Sequence, residues 1–163
     1  MMKKMSIQAA ALTIMLSYPA LCYASVKPDI IHFPAEYELL NDQLSQQCTR
    51  LESRKIEPAE IPDTKISQVQ LDCHGFQFEG KSRLAEFVFR DGLLVLVWIL
   101  TDKSEEASFE KKFIAEYGRP SHQKADFTAF TSSHSALRKD KPEVLFYSPA
   151  VAPLFEAWFS NQG

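Results

Sequence analysis

The chain has 163 residues, 18 Lys+Arg against 21 Asp+Glu, a net charge of −3 and 45% hydrophobic residues. That length suits one ordinary domain. The acidic balance argues against nucleic acid or an anionic membrane surface as the main partner.

The first 24 residues form a unit of their own. Lys3 and Lys4 make a short basic region, Ile7 to Leu16 is an uncharged apolar run, and Pro19 breaks it. Cys22-Tyr23-Ala24 then places small residues at −3 and −1 before Ser25. This order is the signature of a cleaved Sec-type signal peptide. The apolar run falls short of the ~20 residues that span a bilayer, so no transmembrane segment is expected after its removal. Residues 1–24 are therefore read as a signal peptide and residues 25–163 as a single domain in the periplasm or outside the cell. A lipid anchor on Cys22 is the alternative, against which stands Leu21, where such signals place a small side chain. Without its first 24 residues the chain has 163 − 24 = 139 residues and a charge of 16 − 21 = −5. Three cysteines become two. An even count in an exported protein reads as a disulfide, here Cys48 with Cys73.

After a lead-in to Phe33, Pro34 stands where helices begin. Tyr37, Leu40, Leu44, Cys48 and Leu51 recur at steps of three and four, which predicts an amphipathic helix over 35–52. Residues 56–63 hold two prolines and three acids and read as a surface loop. Val69, Leu71 and Cys73 alternate with polar neighbours as in a half-buried strand, and the phase slips at Gly75, the mark of a bulge. Glu79-Gly80 is a turn. Residues 84–89 form a second strand, Asp91-Gly92 a tight hairpin, and 93–100 a third strand apolar at every position. Asp102 and Glu105 make a capping pair for a helix carrying Phe109, Phe113, Ile114 and Tyr117, which Gly118 and Pro120 stop. Residues 127–131 and 144–147 read as strands, with a shorter one at 135–138, and a last helix follows Pro149. Hairpin-joined strands pair antiparallel. The expected class is α+β: an antiparallel sheet of five to six strands with an N-terminal amphipathic helix, a central helix and a short C-terminal helix.

Cys48 on the helix's apolar face and Cys73 in phase with Val69 and Leu71 both point inward. A bridge between them would tie helix to sheet across 25 residues.

Candidate sites are sparse. His32, His74, His122 and His134 are scattered and offer no metal-ligand spacing. No nucleophile elbow and no phosphate loop occurs, so no cofactor and no metal is expected. The cluster Arg138-Lys139-Asp140-Lys141 carries its own carboxylate and reads as a solvated turn. Asp72 and His74 share a strand face at i and i+2 and are the best local pair. In the strand 93–100 both faces are apolar. Leu94, Leu96 and Trp98, read as one face, need a cover, supplied either by the C-terminal segment around Leu154, Phe155 and Trp158 or by a protein partner.

The segments LDCHGFQFEGKSRLAEFVFRDGLLVLVWILT and ALRKDKPEVLFYSPAVAPLFEAWF resemble an uncharacterised family of small exported proteins of Gram-negative bacteria, a resemblance that implies no activity. In fold alone, a leading helix followed by an antiparallel meander is similar to small envelope-assembly lipoproteins and secreted β-lactamase-inhibitor proteins, which have two leading helices where this chain has one. The expectation is a non-enzymatic binding or accessory protein with a protein partner in the cell envelope. The alternative is a small cofactor-independent hydrolase with its site around His74 and Asp72.

Overall fold

The computed structural model describes residues 25–161. The segment read as a signal peptide, with Cys22, lies outside the described residues. The helices are α1 (Tyr37–Ser45), α2 (Glu106–Tyr117) and α3 (Ala152–Asn161). The strands are β1 (Arg50–Lys55), β2 (Gln68–Phe78), β3 (Lys81–Arg90) and β4 (Leu93–Leu100), then β5 (His122–Gln123), β6 (Phe127–Phe130), β7 (Ser135–Arg138) and β8 (Glu143–Tyr147). All eight join one antiparallel sheet in the order β1-β2-β3-β4-β8-β7-β6-β5.

Local chemistry explains the meander. At Glu79-Gly80 and Asp91-Gly92 both residues have positive φ, +52° and +74° in the first pair, +54° and +84° in the second. This is the mirror-image turn whose twist matches paired strands. The β2–β3 register shifts between His74 and Phe76, so the bulge lies at Gly75. Gly75 has φ +83°, and a Cβ there would sit 2.6 Å from Thr49 Cγ2. Only glycine fits both constraints. At the start of α2 the Asp102 amide donates to Glu105 Oε2 at 3.2 Å. Gly118, with φ +80°, ends the helix.

The α+β class and the antiparallel sheet hold, but the sheet has eight strands rather than five to six. The leading helix does not reach residue 52. It ends at Ser45, and Arg50–Lys55 is a strand paired with β2 from Arg50↔His74 to Lys55↔Val69. Leu51 sits at helical spacing from Cys48 by coincidence. It faces Cys73 across the β1–β2 ladder. The other added strand, β5, is two residues pinned to β6.

The sheet is packed on both faces. One face carries Leu71, Cys73, Phe87, Leu94, Val97 and Phe146, and onto it pack Leu40 and Leu44 of α1, Phe109 and Phe113 of α2, and Val26 and Ile31 of the lead-in. Cys48 and Cys73 are disulfide-bonded as expected, with Cα atoms 5.3 Å apart, but Cys48 lies beyond the end of α1 rather than on the helix face, so the bond joins the segment after α1 to β2. The other face carries Val88, Val95, Leu96, Leu145 and Tyr147 under Val151, Phe155 and Phe159 of the C-terminal segment, with Ile61 beside them.

Candidate functional site

Cross-strand partners share a sheet face, so the ladders show which side chains lie in line. Glu52, Asp72, Glu86, Trp98 and Leu145 form one row from β1 to β8. Arg50, His74 and Leu84 form the next row. Asp72 and His74 therefore lie side by side on the face that α3 partly covers. Each has partners. Asp72 accepts from Arg54 Nε at 3.2 Å and Gln70 Nε2 at 2.6 Å. His74 Nε2 lies 3.0 Å from Arg50 Nη2 and 3.4 Å from Glu52 Oε2.

Their neighbour Glu86 differs. It is half-buried, directly opposite Asp72, and makes no hydrogen bond or ion pair among the described residues. Burial, then the Asp72 charge, pushes its carboxyl above the usual range. Sequence reasoning did not single out Glu86, although its place between Ala85 and Phe87 in an alternating strand marks it as facing away from the main core. Among the described residues no group of three or more His, Cys, Asp or Glu could hold a metal ion.

The apolar triad of β4 divides. The β3–β4 ladder pairs Val88 with Leu96 and Phe89 with Leu94, which leaves Val95 as an extra residue. This bulge reverses the phase. Leu94 packs in the core beneath α1 and α2, while Val95 and Leu96 pack on the α3 side with Trp98 at their margin. The reading of Leu94, Leu96 and Trp98 as one face is thus corrected. Cover comes from within. Trp98 meets the Phe155 ring edge-on at 6.4 Å, and Leu96 is buried. Leu154, expected to share in this cover, is exposed.

What stays uncovered is the end of the sheet where the 56–67 loop meets the β3–β4 hairpin. The loop is anchored along its length. Gln68 Oε1 accepts from the amides of Glu60 and Ile61, both at 2.8 Å, and Ile61 is buried. Arg90 Nη1 donates to the Pro62 carbonyl at 3.1 Å. The Asp91 carboxylate accepts from three successive amides, at 3.0 Å from Lys65, 2.6 Å from Ile66 and 3.1 Å from Ser67. The amides of Ile66 and Lys65 lead in holding the Asp91 carboxyl below its usual range. On this clamped segment the Ile66 side chain is 82% exposed.

Beside it, on the α1 side, runs an open groove of about 480 Å³. Tyr37, Val69, Phe89 and Leu93 line it together with Glu36, Glu38, Ser67 and Asp91. Leu93 is itself 44% exposed. The β4 end that β8 does not reach is occupied here by the lead-in: the Leu94 amide donates to the Ala35 carbonyl at 2.8 Å, and the Tyr37 amide donates to Gly92 at 2.9 Å. The sequence offered no direct signal for this site, because Asp91 and its three amide donors are 24 to 26 residues apart.

No protein-family model, curated protein or solved structure matches this chain.

Proposed function

We propose that the protein is an exported, non-enzymatic binding or accessory protein of the cell envelope, whose protein partner docks at the Ile66 end of the sheet. One observation carries this reading. A large aliphatic side chain is 82% exposed on a segment whose three consecutive amides are clamped by one carboxylate. Exposed apolar side chains are ordinary when mobile and isolated. One held on a clamped backbone is arranged to bind, because little ordering entropy remains to be lost on association. Export is supported by the Cys48–Cys73 disulfide, a bond that persists in oxidising compartments. No described helix is long and apolar enough to cross a membrane.

The test is site-specific photo-cross-linking in the native cells. A photoreactive residue at position 66 should capture one discrete partner, and the same residue at Ile114 on α2, 42% exposed, should not. Ile66→Asp should abolish the association without changing the thermal midpoint. Equal labelling from both positions, or none from position 66, would sink the proposal.

The second reading is the cofactor-independent hydrolase, and the Asp72–Glu86 pair favours it. The two carboxylates face each other, one held by Arg54 and the other with raised proton affinity, which is the division of labour of a general base and a general acid. Its test is hydrolysis of a panel of ester, peptide and glycoside substrates. Activity lost in both Asp72→Asn and Glu86→Gln would establish it, and no turnover of any substrate would reject it.

A further inference from the structure

The chain enters the fold through its lead-in, and the point of entry carries an unmatched charge. Val26 and Ile31 are buried in the core that α1 and α2 close, so this segment is tied down rather than trailing. At its start both oxygens of Glu116 are engaged. The Ser25 hydroxyl donates to Oε1 at 2.9 Å and the Val26 amide donates to Oε2 at 2.5 Å. Both donors are neutral, and among the described residues Glu116 forms no ion pair. Lys112, one turn earlier on α2, is engaged by Glu79, and Arg119 beyond the helix does not pair with Glu116. A carboxylate in the last turn of a helix is opposed by the helix dipole, so α2 itself gains nothing from Glu116.

The missing cation is close at hand. Two carbon atoms separate the Ser25 α-nitrogen from its own hydroxyl oxygen, and two separate it from the Val26 nitrogen. It therefore lies within about 4 Å of two atoms already bonded to the carboxylate. In an uncleaved chain that nitrogen is a neutral amide. Hydrolysis between Ala24 and Ser25 consumes one water, leaves a carboxylate on Ala24 and frees an amine on Ser25, which is mostly protonated at neutral pH. Resting on the export reading above, we infer that Glu116 is the receptor for the amino terminus that leader removal creates at Ser25. The processed chain closes an ion pair that the unprocessed chain lacks, and its own end fastens the lead-in to α2. Processing thereby completes the fold as well as releasing the chain. The pair lies at the surface, so it acts locally and its contribution to global stability is small.

The test begins with the intact mass of the protein recovered after export, which identifies its first residue. The chain starting at Ser25 is then compared with one extended by Gly-Gly-Gly ahead of Ser25, each with and without Glu116→Gln. The glutamine keeps an acceptor for the two neutral donors and removes the charge. Read by NMR after reductive methylation with a 13C label, the Ser25 amine should titrate above an unpaired α-amine and fall back in Glu116→Gln. The extension and the substitution should each lower the thermal midpoint by roughly 1–4 °C, and the two together should lower it no further. An amine that titrates identically with and without Glu116, or losses that add, would overturn the inference and leave export standing. An exported chain that does not begin at Ser25 would overturn the inference together with the processing on which it rests. Cross-linking at position 66 bears on the docking reading alone.

Discussion

Arg83 is the residue whose burial most needs explaining. Its side chain is only 3% exposed, lies over the Phe78 and Phe109 rings, and ends in two 2.9 Å bonds to the Glu105 carboxylate. Glu105 also receives the Asp102 amide and Lys81, so one carboxylate fixes the start of α2 to the β2–β3 hairpin. The Arg83 guanidinium leads in holding its carboxyl far below the ordinary value of 4.5. A depressed carboxylate stabilises the fold fully above its unfolded pKa and ceases to do so as pH falls toward the folded one. Glu105→Gln should therefore lower the unfolding free energy by roughly 2–4 kcal/mol at neutral pH, because it strands a buried cation. The deficit against the parent protein should shrink steadily below pH 4.5. Urea titrations at pH 7 and pH 3 check this, and an equal deficit at both would contradict the linkage.

At the scale of elements, the disulfide and α3 each act as a fastener. Cys73 is fully buried and Cys48 partly so, and their bond closes a 25-residue separation containing β1 and the anchored loop. Loop-entropy reasoning gives such a closure about 3.5 kcal/mol. Cys48→Ser should cost roughly 2–5 kcal/mol in chemical denaturation, and reduction of the parent protein should reproduce the loss. On the opposite face, Phe155 and Phe159 of α3 cover Leu96, Leu145 and Tyr147. Each such side chain gains roughly 1.5–3 kcal/mol on burial. A chain ending at Pro149 should therefore expose Trp98 to quenchers and aggregate. A truncated protein that stays monomeric and equally stable would show that the cover is dispensable.

These same elements show where the sequence could be read. The Asp-Gly hairpin, the capped α2 with its Gly118 stop and the slip at Gly75 were all legible, because each depends on chemistry within a few residues, while the Cys48–Cys73 pair, 25 residues apart, was legible from the cysteine count alone. β1 was not. Its Arg50, Glu52 and Arg54 lack apolar alternation, and Leu51 continued the helical spacing of α1. The Val95 bulge was hidden for the opposite reason. In a run apolar at every position, a one-residue slip leaves no change of pattern. The asymmetry between the faces of β4 therefore had to come from the ladder. The candidate site was the least legible part. The loop over residues 56–63 was recognised, but its anchors are Gln68 of β2 and Arg90 of β3, and the segment after it is held by Asp91 of the β3–β4 turn.

At the scale of the whole molecule, one sheet serves two cores that share no side chains. The disulfide, α1 and α2 close one side, while α3 closes the other. Local opening of the α3 side can therefore precede loss of the other. Hydrogen exchange should show this order. The amides of α3 should exchange faster than those of β2 and β3, and a single uniform protection factor across the sheet would exclude it.

The sheet also has two rims, and they are unequal. β5 contributes two residues, whereas β1 contributes six and faces no further strand. Along β1 stand Arg50, Glu52, Arg54 and Lys55, all exposed. An open ladder edge of that length is a template for another chain, and strands of low charge in that position seed fibrils. Two molecules meeting rim to rim here would have to desolvate a dense row of charges, three cations among them, before forming any backbone bond. Continuous cross-molecular sheets are thereby discouraged at high local concentration.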